Sequence, residues 1–160
     1  MEKTVTIGII GLGYVGLPLA CLFARKYGVV GFDIRQGRID ELNAGHDATM
    51  EIGEEALRKA LDGNLTCTSD VADLQGCNVY IVTVPTPVDD YNVPDLTALK
   101  EASRLVGGVR KKGDTALYEP TVYPGVTDQV CVPVLAQLLG PAWHRSLLAG
   151  YLPVHLNPAC

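Results

Sequence analysis

Apolar residues along the chain come in short runs and in helical spacing, separated by Gly, Asp and Asn. Val5 to Ile10 is a β-rich apolar run. Behind it Leu17, Ala20, Cys21 and Ala24 recur on one helical face, which predicts a helix over 14–27. Val29-Val30-Gly31-Phe32-Asp33 predicts the second strand, followed by helices at 36–44 and 53–62, the latter rich in strong helix formers. Leu65 to Thr68 predicts a third strand. Asn78 to Val84 is a continuous Val/Tyr/Ile run, as expected of a parallel strand covered on both faces. After a loop containing Pro85, Pro87 and Pro94, Asp95 suits the N-cap of a helix that aligns Leu96, Leu99, Ala102, Val106 and Val109. Thr115 to Tyr118 predicts a short strand, and a helix near 127–139 has to accommodate Pro133. Ser146 to Tyr151 predicts a sixth strand.

Strand and helix alternating at this interval require a parallel sheet with right-handed crossovers and helices on both faces. The expected fold is α/β, a Rossmann-type doubly wound sheet of about six strands. No internal linker, repeat or low-complexity stretch divides residues 1–160, so one domain is expected.

Composition narrows the function classes. With 48% hydrophobic and 19% charged residues, the chain is globular and too apolar for disorder. No apolar run approaches the roughly 18 residues that span a bilayer, and the first residues lack the regions of a signal peptide. A cytoplasmic location is expected. Net charge is −5 and the longest basic run, Arg110-Lys111-Lys112, is expected to close a helix, so neither nucleic acid nor membrane is an expected partner. Five cysteines, odd in number and without CxxC spacing, read as reduced thiols. Cys21 and Cys131 fall on helix faces, and Cys67 and Cys77 near strand ends. His46, His144 and His155 have no ligand spacing to one another, and Asp89-Asp90 in a Pro-rich loop reads as a solvated pair. No metal site is expected.

The sharpest chemistry is Gly11-Leu12-Gly13-Tyr14-Val15-Gly16, placed after a strand and opening a helix. In such a loop Gly11 permits the tight turn, Gly13 lets the backbone approach a pyrophosphate, and Gly16 lets the helix pack on the sheet. Unpaired N–H groups and the helix dipole then favour phosphate. The dipole supplies only ~0.3–1 kcal/mol near the surface, so directed hydrogen bonds carry most of the affinity. Asp33 ends the second strand about 20 residues on, where an acid accepts hydrogen bonds from the ribose hydroxyls and repels a 2′-phosphate. Arg35 and Arg38 are nearby groups that would favour such a phosphate. With Asp33 in place the expected cofactor is NAD.

Beyond this loop, four segments resemble the UDP-glucose/GDP-mannose dehydrogenase family: Gly-Leu-Gly-Tyr-Val-Gly-Leu-Pro-Leu-Ala (11–20), Gly-Phe-Asp-Ile-Arg (31–35), Val-Thr-Val-Pro-Thr-Pro (82–87) and Thr-Val-Tyr-Pro-Gly (121–125). Tyr-Asn-Val-Pro-Asp-Leu-Thr (91–97) and Cys-Val-Pro-Val-Leu (131–135) are most similar to its UDP-N-acetylhexosamine branch. The resemblance implies oxidation of a sugar C6 hydroxyl to a carboxylate with two NAD⁺ in succession, for surface polysaccharide precursors. It also implies a cysteine that holds the intermediate aldehyde covalently. By position, Gly11, Gly13, Gly16, Asp33 and Arg38 would bind NAD, with Tyr14 (through its backbone N–H) and Val15 in the same loop. Thr83 and Thr86 would line the nicotinamide side, at the carboxyl end of the fourth strand. Thr121 matches the family threonine that positions a water or the substrate hydroxyl.

The chain departs from the family pattern in places that bear on chemistry. Pro120 stands where the family usually has serine. Gly150-Tyr151-Leu152-Pro153-Val154-His155 stands where it reads Gly-Tyr-Ser-Pro-Glu-Arg with a proton-transferring glutamate. The family's cysteine and lysine, its central helix and its sugar-binding domain lie later than Cys160, and nothing beside Cys160 lowers its pKa to make it a substitute nucleophile. The expectation is a chain that binds NAD with little or no turnover alone, engaging a nucleotide sugar only with the rest of the family's length. Full-length members are oligomers built largely through that central helix, and an exposed apolar patch is expected where the second domain docks. Two other readings stand beside this one: a non-catalytic nucleotide-binding module, and a β-hydroxyacid dehydrogenase, which fits 82–87 and 121–125 poorly.

Overall fold

Six strands form one parallel sheet in the order β3-β2-β1-β4-β5-β6. A computed structural model describes residues 4–119, 125–139 and 147–151. The strands are β1 (Thr6–Ile10), β2 (Gly28–Phe32), β3 (Leu65–Thr68), β4 (Val79–Val82), β5 (Asp114–Tyr118) and β6 (Leu147–Tyr151). Between them lie α1 (Gly16–Phe23), α2 (Gln36–Asn43), α3 (Glu54–Asp62), α4 (Thr97–Val109) and α5 (Val132–Leu139). The order reverses between β1 and β4, which is the switch point of a doubly wound sheet and the place where such sheets bind ligands. Register across that point pairs Ile10 with Val82, so the carboxyl ends of β1 and β4 stop level.

Alternation along the strands feeds a core on each face. Ile7, Ile9, Val29 and Ile81 pack with Leu17, Ala20, Leu42 and Leu57 from α1, α2 and α3. Ile10, Phe32, Tyr80 and Val82 pack with Leu99, Val106, Cys131 and Leu135 on the α4 and α5 side. Two glycines make room: a Cβ on Gly8 would lie 2.9 Å from Leu74 Cδ2, and one on Gly31 would lie 2.9 Å from Leu12 Cδ2. The thiols of Cys67, Cys77 and Cys131 are buried, and burial pushes them up to about 12, 11 and 11. They are core side chains and not nucleophiles.

Several element ends differ from the sequence expectation. α1 is shorter than 14–27 because residues 14 and 15 belong to the glycine loop, while past Phe23 the bonds from Arg25 and Lys26 reach back only three residues. α4 starts at Thr97 with Leu96 in the cap position, and Asp95 acts from one residue further out, its Oδ1 accepting from Thr97 N at 2.9 Å. Arg110 to Lys112 close α4 from just past its last turn, Arg110 taking the C-cap with its N–H on Val106 O at 3.0 Å. The helix ends at Val109, Arg110 is extended, and Lys111 N donates to Asp114 Oδ2. Pro133 sits at the start of α5 behind a wider π turn (Thr127–Cys131), in which Val132 N reaches Thr127 O. That widening accommodates a residue that lacks an N–H and crowds the preceding turn. Among the described residues no helix is long and apolar enough to cross a membrane, and no group of acids, histidines and cysteines is placed to hold a metal ion.

Candidate functional site: a cleft over the glycine loop

The carboxyl ends of β1, β2 and β4 open into a cleft of about 740 Å³. Gly11, Gly13, Tyr14, Val15, Asp33 and Thr83 all line it. A cleft of that size suits a small cofactor.

Each glycine of the loop has its own physical cause. Gly11 has φ +99°, a conformation costly for any residue with a Cβ, and its N donates to Phe32 O at 2.8 Å to tie the turn to β2. Gly16 cannot carry a side chain, since a Cβ there would lie 1.7 Å from Gly11 O and 2.5 Å from Thr83 Oγ1. Gly13 is different. Nothing lies within 4 Å of where its Cβ would be, so the protein itself does not require glycine there. Open space in front of a bare backbone at the start of α1 is what an approaching pyrophosphate needs. Val15 takes the cap position of α1 and no side chain caps that helix; Leu17 N already donates to Gly13 O at 3.2 Å and residue 18 is proline, so a phosphate would be met by the N–H groups of the loop ahead of Leu17.

Asp33 is buried to 6% exposure yet borders the cleft. Its Oδ2 accepts from Leu12 N at 3.1 Å, and its Oδ1 accepts from Arg35 N at 3.0 Å and Arg35 Nε at 3.3 Å. The two backbone bonds fix the carboxylate. The Arg35 side chain is 69% exposed, and an ion pair in that setting is weak. Thr83 reaches in from the end of β4, its Oγ1 donating to Gly11 O at 2.8 Å and lying 3.2 Å from Ile10 O. It therefore locks the turn as well as lining the cleft.

Not every expected residue joins them. Arg38 is not among the residues lining the cleft; it lies buried beneath the loop, its Nε donating to Leu12 O at 2.9 Å. Thr86 is buried in the loop after β4 and does not line the cleft. Thr121 lies outside the described residues, as do Pro120, His144, Val154, His155 and Cys160. Asp89 orders its loop: its Oδ1 accepts from Tyr91 N and Val93 N at 2.9 Å. Val88, Tyr91 and Val93 of that loop are exposed apolar side chains.

The cleft also has walls that sequence reading did not pick out. Glu119, buried at the carboxyl end of β5, borders it opposite the loop, and Glu101 and Leu105 border it from α4. The rule that ligands sit at strand carboxyl ends would have found Glu119. Thr49, on the loop after α2, also borders it, and no local motif marks that residue.

The relatives of this chain agree with the geometry. A sequence model described as the UDP-glucose/GDP-mannose dehydrogenase family, NAD binding domain, matches residues 5–149. A UDP-N-acetyl-D-glucosamine 6-dehydrogenase of Pseudomonas aeruginosa is 51% identical over 98% of this chain, and one of Salmonella typhi is 49% identical over 96%. The solved structure of a UDP-D-ManNAc dehydrogenase from Pyrococcus horikoshii superposes with a TM-score of 0.87 and 37% identity, over 96% of this chain and 37% of that one. The chain spans about a third of the length of the curated relatives it matches, 36% in both cases. On the matched residues, the fold and the glycine loop, this chain belongs to the UDP-glucose/GDP-mannose dehydrogenase family and is its NAD-binding domain.

Proposed function

We propose that these residues are the cofactor-binding part of a nucleotide-sugar 6-dehydrogenase that oxidises the C6 hydroxyl of a UDP-N-acetylhexosamine to a carboxylate. The product would serve as a precursor of surface polysaccharide. The observation that carries this reading is the identity of 51% and 49% to two UDP-N-acetyl-D-glucosamine 6-dehydrogenases over nearly the whole chain. Buried, unpaired thiols suit the reducing cytoplasm, where such a protein would work.

Bound NAD⁺ supplies the hydride acceptor for each of two oxidations at C6. The chain's own residues hold it. With the Gly11 and Leu12 N–H groups spent on Phe32 and Asp33, the loop from Gly13 to Gly16 offers its backbone N–H groups and the positive end of α1 to the pyrophosphate. Asp33, fixed by Leu12 and Arg35, accepts hydrogen bonds from the ribose hydroxyls and excludes a 2′-phosphate. Thr83 keeps the turn in its binding shape. Thr86, buried in the loop after β4 and not lining the cleft, supports the nicotinamide side from within that loop, and Thr121 positions a water or the sugar hydroxyl. On this reading residues 1–160 alone bind NAD with little or no turnover, and the sugar chemistry belongs to a protein that includes the rest of the family's length.

A second reading, a nucleotide-binding module without chemistry, is favoured by Pro120 and Val154, which replace a hydroxyl and a carboxylate while the glycine loop is intact. One assay separates the two. The full-length protein containing these residues, given NAD⁺ and UDP-N-acetylglucosamine, is expected to release two NADH per sugar at 340 nm and a product carrying a 6-carboxylate by mass spectrometry. NAD⁺ binding with no NADH from any UDP-N-acetylhexosamine would leave the second reading standing.

A further inference from the structure

Leu12 sits inside the glycine loop, and the peptide groups on either side of it are both gripped. Its N–H is held by Asp33 Oδ2 at 3.1 Å and its carbonyl by Arg38 Nε at 2.9 Å, while its side chain is fully buried against Gly31. Arg38 is in turn held by Asp47, with Nη2 to Oδ1 at 2.8 Å, and by Glu41, with Nη1 to Oε1 at 2.7 Å. Asp47 lies outside the cleft and its side chain is fully buried. Its Oδ1 also accepts from Thr49 N and Oγ1, at 3.0 and 2.7 Å, and its Oδ2 accepts from Glu51 N and Ile52 N, both at 3.0 Å. Thr49 borders the cleft.

We infer that Asp47 is a positioning residue for the cofactor: it holds the Arg38 fork on the Leu12 carbonyl and Thr49 at the cleft wall, so that loop and wall form one rigid unit. This rests on the reading of the cleft as an NAD site. The inference reassigns Arg38, which the family resemblance makes a direct ligand, to a role exerted through the loop. The carboxylate is well suited to it. Burial works against its charge, but hydrogen bonds from the Thr49 side chain, Arg38 and the Ile52 and Thr49 backbones outweigh that and bring its pKa down to about 2. Asp47 is therefore ionised across the physiological range, and its support for the folded state is lost only as pH falls below the ordinary carboxylate value toward about 2.

The two roles for Arg38 predict opposite signs for one substitution. Asp47→Asn keeps the shape but removes the charge and cannot accept at all five donors. If Arg38 acts through Leu12, NAD⁺ affinity of the folded variant falls about tenfold by calorimetry. The Leu12 amide cross-peak in a ¹H–¹⁵N spectrum also moves. If Arg38 touches the cofactor directly, removing its counter-charge leaves more positive field at the site and NAD⁺ binds tighter, which would overturn the inference. Unchanged affinity in the folded variant would overturn it too, because a merely structural role lowers the melting temperature and not the affinity of what remains folded. Should Asp47→Asn not fold, Arg38→Lys decides. It keeps the charge but not the fork, so affinity is expected between that of wild type and Arg38→Met, and equality with wild type sinks the idea. A folded wild-type chain that does not bind NAD⁺ is a separate failure, that of the NAD reading itself.

Discussion

Gly16→Ala is expected to abolish detectable NAD⁺ binding and to destabilise the fold by about 3 kcal/mol. The cause is steric and local. The new methyl group would start 1.7 Å from Gly11 O, 2.9 Å from Gly11 C and 2.5 Å from Thr83 Oγ1. Two of those three atoms are backbone, so relief requires either the turn at Gly11 or the first turn of α1 to move. Moving the turn breaks the Thr83 to Gly11 bond and the Gly11 to Phe32 bond together. Gly13→Ala is the matched control, with the opposite profile. Its Cβ meets nothing in the protein, and replacing glycine where the backbone allows it adds about 0.4–1 kcal/mol by restricting the unfolded chain. The fold is expected to be as stable as wild type or slightly more so. NAD⁺ affinity nevertheless falls roughly a hundredfold, because the pyrophosphate is pushed from hydrogen bonds worth about 1.5–3 kcal/mol each to a charged group. Thermal melts followed by circular dichroism, with calorimetric titration of both variants, check the pair. A Gly13→Ala protein that binds like wild type would show that the open space before that residue is not where the cofactor sits.

Asp33→Ser is expected to weaken NAD⁺ by roughly thirtyfold and to remove most of the preference over NADP⁺. Losing the carboxylate removes hydrogen bonds to the ribose hydroxyls at about 1.5–3 kcal/mol between them. It also removes repulsion of about 3 kcal/mol per unit charge for like charges ~5 Å apart in a partly buried site. Arg35, freed from Asp33 and largely exposed, is then positioned to attract a 2′-phosphate. NADP⁺ therefore gains while NAD⁺ loses, and the ratio of the two dissociation constants is the quantity to measure. An unchanged ratio would mean that Asp33 serves only to pin Leu12 and Arg35.

Much of this architecture was legible in the chain because one signal dominated. Continuous apolar runs bounded by glycine made β1, β2 and β4 readable, and repetition fixed the parallel sheet once they alternated with helices. All six expected strands form. Element ends were less legible because their determinants are tertiary. α1 yields residues 14 and 15 to the glycine loop, and the π turn before Pro133 answers a local strain that periodicity does not encode. At the site, the glycines and Asp33 were readable because their spacing is itself the chemistry; Gly11, Gly13 and Asp33 line the cleft, whereas Gly16 does not line it and packs instead on Gly11 O and Thr83. Thr83 was readable from its place at a strand end, but its grip on Gly11 was not. Arg38 shows the limit most clearly. Its position marks it as near the cofactor, yet its partners are Leu12, Glu41 and Asp47, and nothing in the spacing says that a loop nine residues later claims its guanidinium. Thr49 reaches the cleft only through that same loop, so no local motif points to it.

The most direct measurement is a calorimetric titration of the purified 160-residue chain with NAD⁺, with NADP⁺ run alongside. Saturable one-site binding of NAD⁺, with NADP⁺ much weaker, is the predicted result, since the glycine loop and Asp33 are assembled within these residues. A folded chain that takes up no NAD⁺, or takes up NADP⁺ equally well, would contradict the account.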